Sequence, residues 1–125
     1  MHALLLSSDL MLISTAQGAA DRQGVPLKIA SNPAHAATLS AGAAAVAIDL
    51  RMPALNMAAL VPQLRSLASP QAPIVACAPH VHAEALEAAA AAGCDEVITR
   101  GQFDRRFDAL LARLTAPAER RPAAD

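Results

Sequence analysis

At 125 residues, 54% of them hydrophobic, the chain is the length of one domain that builds its own core, which excludes disorder as its general state. The net charge is −1, and the basic pairs Arg105–Arg106 and Arg120–Arg121 each adjoin acids, which speaks against a nucleic-acid-binding face. The two cysteines, Cys77 and Cys94, form no CxxC or Cys/His cluster, so they read as reduced, buried thiols of a cytoplasmic protein.

Short apolar runs alternate with helical stretches along the chain. The first strand is Ala3 to Leu6; its apolar run is too short for a signal peptide or a membrane span and breaks at Ser7-Ser8-Asp9. Asp9 is a helix N-cap for the stretch to Gln23, and Gly24 is its stop. Pro26 to Ala30 is a second, weak strand. Asn32-Pro33 then opens a helix that Gly42 ends. Ala43 to Ile48, leading into Asp49, is apolar without alternation, as a central parallel strand between two helix layers must be. In the stretch from Asn56 to Ala68, Pro62 either kinks the helix or delays its start to near Leu60.

Pro73 to Ala78 and Glu96 to Thr99 complete five strands. Ala83 to Ala92 is an alanine–glutamate helix closed by Gly93. In the last helix Phe103, Phe107, Leu110, Leu111 and Leu114 share one face. Residues 116–125, rich in proline, alanine and charge, read as a disordered tail or linker stub after a domain spanning 1–115. Such strand–helix alternation predicts an α/β fold: a flavodoxin-like, doubly wound parallel sheet of order 2-1-3-4-5 with helices on both faces. The functional crevice then lies at the carboxyl ends of the strands, which gathers Ser7, Ser8, Asp9, Asp49, Ala78 and Arg100.

The string Val46-Ala47-Ile48-Asp49-Leu50-Arg51-Met52-Pro53 resembles the third-strand motif of bacterial response-regulator receiver domains. Ala92 to Phe103 is similar to the same family's fourth-helix end, fifth strand and start of the last helix, and the likeness runs from about Ala3 to Leu114. It implies a role in two-component or phosphorelay signalling, with Asp49 at the position phosphorylated by a histidine kinase. In that family a magnesium ion is held by an acidic pair, by the phosphoacceptor and by a backbone carbonyl. Here the acidic-pair positions are Ser7 and Ser8; Asp9, Asp49 and the Arg51 carbonyl are the remaining possible metal ligands. The switch hydroxyl falls at Ala78, which cannot donate a hydrogen bond, and the family's lysine falls at Arg100. The glycine of the turn after Met-Pro is Met57.

These departures imply an atypical, stand-alone pseudo-receiver acting by protein–protein contact, with no cofactor and with Asp49 paired to Arg100. The alternative is a receiver phosphorylated on Asp49, which requires magnesium and carries at most weak phosphoacceptor or autophosphatase chemistry. A small flavodoxin-like enzyme or ligand-binding domain is disfavoured, because Ser7-Ser8-Asp9-Leu10 offers no glycine-rich phosphate loop. A catalytic serine lacks identifiable partners, and His80 and His82 are read as surface loop residues. The resemblance implies a histidine kinase or downstream effector as partner, or a second copy in a homodimer, with no nucleic acid or membrane. Glu84, Glu87, Asp95, Arg105 and Arg106 are the polar rim of the partner face.

Overall fold

In the computed structural model, which describes residues 1–115, five parallel strands run in the order β2-β1-β3-β4-β5, as the alternation predicts. The strands are β1 (Ala3–Leu6), β2 (Leu27–Ala30), β3 (Ala45–Asp49), β4 (Ile74–Ala78) and β5 (Glu96–Thr99). The helices are α1 (Leu10–Gln23), α2 (Pro33–Leu39), α3 (Met57–Leu67), α4 (Ala83–Ala91) and α5 (Phe103–Thr115), with a 3₁₀ turn over Arg100–Gln102 before the last. The tail expected over 116–125 lies outside the described residues.

The absence of polar alternation in β1, β3 and β4 has a direct cause: both faces of these strands are buried. Leu4, Leu6, Val46, Ile48, Ile74 and Ala76 point into a core shared with α2, α3 and α4. Ala3, Leu5, Ala45, Ala47, Val75 and Cys77 point the other way, into a core shared with α1 and α5. Several strand residues on this second face are alanines. The space they leave is filled by Phe103 and Phe107, stacked with ring centroids 5.0 Å apart. Burial of each phenyl ring contributes about 2–3 kcal/mol.

Local signals set the helix ends. Asp9 accepts the Met11 and Leu12 amides at 2.9 and 3.3 Å, and Gly24, at φ +68°, returns its N–H to the last turn of α1. Two helices settle differently: one boundary departs from expectation, and one open alternative is decided. α2 ends at Leu39, not Gly42, because the Ser40 hydroxyl donates to the Ala37 carbonyl at 2.8 Å and closes the turn earlier. α3 begins at Met57, capped by Asn56, and runs through Pro62. The carbonyl that Pro62 leaves without a helical partner belongs to Ala58, which is exposed, so water can satisfy it.

No helix among the described residues is long and apolar enough to cross a membrane.

Candidate functional site

The carboxyl ends of β1 and β3 lie side by side, with Leu6 opposite Ile48, and Asp49 is opposite Cys77 on β4. This register brings Ser7 onto Asp49. Both are buried, at 1% and 4% exposure. The Ser7 hydroxyl donates to Asp49 Oδ2 at 2.7 Å, and its oxygen accepts the Asp9 amide at 3.0 Å. Asp49 Oδ1 accepts the Arg51 amide at 3.0 Å. The loop after β3 is tied down by the Leu50 amide on the Cys77 carbonyl and the Met52 amide on the Asp49 carbonyl. Each Asp49 oxygen therefore has a donor from its own chain. Hydrogen bonds to a charged acceptor contribute about 1.5–3 kcal/mol each, which offsets part of the cost of burying the carboxylate.

Asp9 is similarly occupied. Its Oδ1 caps α1, while Oδ2 faces Arg100 Nη2 at 3.4 Å and Arg51 Nη1 at 3.8 Å. Desolvation pushes the Asp9 carboxyl up, but the Leu12 and Met11 amides, followed by Arg100 and Arg51, outweigh it and hold the group below its ordinary value. These side chains are partly exposed, so each ion pair is worth about 0–1 kcal/mol. Their main consequence is local charge: two carboxylates, Asp9 and Asp49, are matched by two guanidinium groups, Arg51 and Arg100. Beneath the site, burial and the neighbouring Asp49 push the Cys77 thiol up to about 12, so it is inert there.

The Asp49–Arg100 pairing expected from the sequence does not form, since Arg100 turns to Asp9. Ser8 is exposed and directs its hydroxyl at Met52 Sδ, 3.5 Å away, outside the ring of contacts around Asp49. Ala78 ends β4, buried and opposite Thr99. The Arg51 side chain was not foreseen as a member of the site; its place two residues beyond Asp49 in a short loop is the only sequence signal for it. Asp95, expected on the partner rim, is exposed and also binds Arg65 at 3.0 Å and the Ile74 amide at 2.7 Å, linking β4 to α3. Glu84, Glu87 and Arg105 are exposed, and Arg106 pairs with Glu96.

No family model matches the sequence, and no curated protein matches it. Solved structures do. A response regulator from Burkholderia pseudomallei, with a phosphorylated aspartic acid, calcium ion and citrate, superposes with a TM-score of 0.73 at 19% identity over 88% of this chain. The present chain spans 65% of that protein's length. The receiver domain of a sensor histidine kinase from Pseudomonas aeruginosa, with magnesium in its active-site cleft, gives a TM-score of 0.70 at 14% identity, covering 88% of this chain and 96% of that one. A response regulator from Hahella chejuensis gives 0.73 at 19% identity, covering 93% and 98%. The fold is therefore that of receiver domains, and the chain resembles receivers of both response regulators and histidine kinases.

The magnesium ion of such clefts does not fit the donors present here. Magnesium is bound through one or two carboxylates in near-octahedral oxygen geometry. Here Asp9 Oδ2 is engaged by two guanidinium groups, and the Ser7 hydroxyl points its hydrogen at Asp49. A divalent cation entering this ring meets the two guanidinium charges beside Asp9 and competes with the Ser7 and Arg51 donors for Asp49. Among the described residues, no cluster of three His, Cys, Asp or Glu side chains is placed to hold a metal.

Proposed function

We propose that this receiver-like domain works by protein–protein contact that does not depend on phosphate. Its partner is a signalling protein, either a histidine kinase or a downstream effector of a two-component pathway. One observation carries the reading: the acidic crevice is neutralised from within. Arg100 and Arg51 stand against Asp9, while Ser7 and the Arg51 amide hold Asp49. Phosphoryl transfer to a carboxylate brings several negative charges together and depends on a metal or on free donors to stabilise them. At this site the Asp49 oxygens are already engaged, the carboxylate is 4% exposed, and Ala78 supplies no hydroxyl for a phosphoryl oxygen. Asp49 is thus a structural acid that ties β1 to the loop after β3, and the domain is not an enzyme. A cytoplasmic setting belongs to the same reading, supported by two free thiols, Cys77 and Cys94.

The test is intact-mass measurement after incubation with magnesium and acetyl phosphate, with Asp49→Asn as control. The proposal expects unmodified protein in both samples. A single phosphoryl adduct that disappears in the control would overturn it and make the chain a working phosphoacceptor.

A further inference from the structure

The sheet has two edges, and they are not equally protected. On β2, Lys28 is exposed and Pro26 immediately precedes the strand, two of the devices that stop an edge from recruiting another chain. β5 has neither. Its register with β4 is continuous from Glu96 to Thr99, without a bulge. The Asp95 amide bonds inward to the Ile74 carbonyl at 2.8 Å, so strand alternation turns the backbone groups of Glu96 and Ile98 toward the free edge.

Along that edge runs an open depression of about 460 Å³, lined by Glu96, Val97, Ile98, Gln102, Arg105 and Arg106. Its charge is unbalanced. Arg106 reaches across to Glu96, which leaves Arg105, exposed and with no hydrogen bond or ion pair of its own among the described residues. Ile98, packed in the core shared with α5, is 6% exposed at the floor of the depression. At the base of the strand Asp95 binds both Arg65 and the Ile74 amide, which ties the start of β5 to α3 and β4.

We propose that the free edge of β5 takes an extended, acidic segment of a partner protein as an added strand. The segment's backbone pairs with the outward groups of Glu96 and Ile98, and one of its carboxylates binds Arg105. A second carboxylate competes with Glu96 for Arg106, exchanging one ion pair for another, so Arg105 supplies the net electrostatic gain. This inference rests on the contact-module reading and names the chemistry of the partner.

The experiment is an amide-resolved NMR titration of the full chain with two synthetic peptides, one alternating valine with glutamate and one alternating valine with lysine. The glutamate peptide is expected to shift the amides of Glu96, Ile98 and Gln102 to Arg106, to slow hydrogen exchange at Glu96 and Ile98, and to bind roughly tenfold more tightly than the lysine peptide. Arg105→Glu, an exposed substitution checked for an unchanged melting curve, is expected to abolish or invert that preference. Equal binding of both peptides, shifts confined to another face, or no shift at all would overturn the inference. Failure here leaves the contact-module reading standing, whereas a phosphoryl adduct on Asp49 removes that reading without touching the peptide result.

Discussion

Replacing Ser7 by alanine isolates the contact on which the account of Asp49 depends. The hydroxyl is 1% exposed, and its 2.7 Å bond to Asp49 Oδ2 is charge-assisted. Alanine removes this donor, and Asp49 keeps only the Arg51 amide. A bond of this kind contributes about 1.5–3 kcal/mol, so a loss of about 2 kcal/mol is expected. With a urea slope of about 1.5 kcal/mol/M, the unfolding midpoint falls by roughly 1.3 M. Far-UV circular dichroism is the suitable probe, because the chain has no tryptophan or tyrosine to report by fluorescence. In an Asp49→Asn background the acceptor is neutral, and the same substitution should cost only about 1 kcal/mol, giving a coupling of about 1 kcal/mol. Equal costs in the two backgrounds, or a cost below about 0.5 kcal/mol in the wild type, would refute the idea that Ser7 holds a buried carboxylate.

Asp9→Ala removes the α1 cap and both guanidinium contacts, and should lower stability by about 1–2 kcal/mol in urea titrations near neutral pH. Because the folded-state pKa of Asp9 is depressed, its contribution is present above the unfolded value of about 3.9 and is lost as pH falls through the folded value. The gap between wild type and Asp9→Ala should therefore narrow on acidification, and a gap constant down to about pH 2 would contradict the assignment. The thiols of Cys77 and Cys94, pushed up to about 12 and about 11 chiefly by burial, should resist iodoacetamide in native protein and take up two adducts in denaturant, as read by intact mass. Ala54 sits at φ +60° in the loop after β3, a left-handed conformation that costs an alanine about 1 kcal/mol. Ala54→Gly should raise stability by about 0.5 kcal/mol after the larger entropy of the unfolded glycine chain is offset, measured by the same urea titration.

Much of the fold is legible in the sequence because its signals are local. Asp9, Asn32 and Asn56 cap the helices they precede, Gly24 and Gly93 adopt left-handed backbone just past helix ends, and the unbroken apolar runs of β3 and β4 are buried on both faces. Pro62 was ambiguous because a single proline is compatible with a helix only where the freed carbonyl can reach water, and that depends on which face α3 buries. Part of the crevice is legible in the same way, since strand ends in a parallel sheet of this order converge, which brings Ser7, Asp9 and Asp49 together, although Ser8 stands outside those contacts and the Arg51 side chain joins them. The wiring of the crevice is not legible. Two acids lie at the strand ends near Arg100, and in the structure it pairs with Asp9, while Asp49 is bonded by Ser7 and the Arg51 amide. Asp95 is exposed, as a surface acid should be, but its place at the base of β5 also lets it accept the Ile74 amide, a contact set by the geometry between strands rather than by residue type.

The central claim, that the crevice is neutralised by its own arginines and hydroxyl, is tested most directly by titrating magnesium into the wild-type chain while following its backbone amides and its melting temperature. The account predicts no saturable shift at Asp9, Asp49 or Arg51 and no stabilisation. Saturable shifts confined to those three residues would contradict it, if accompanied by a gain in stability that reaches about 1.4 kcal/mol at ten times the apparent dissociation constant.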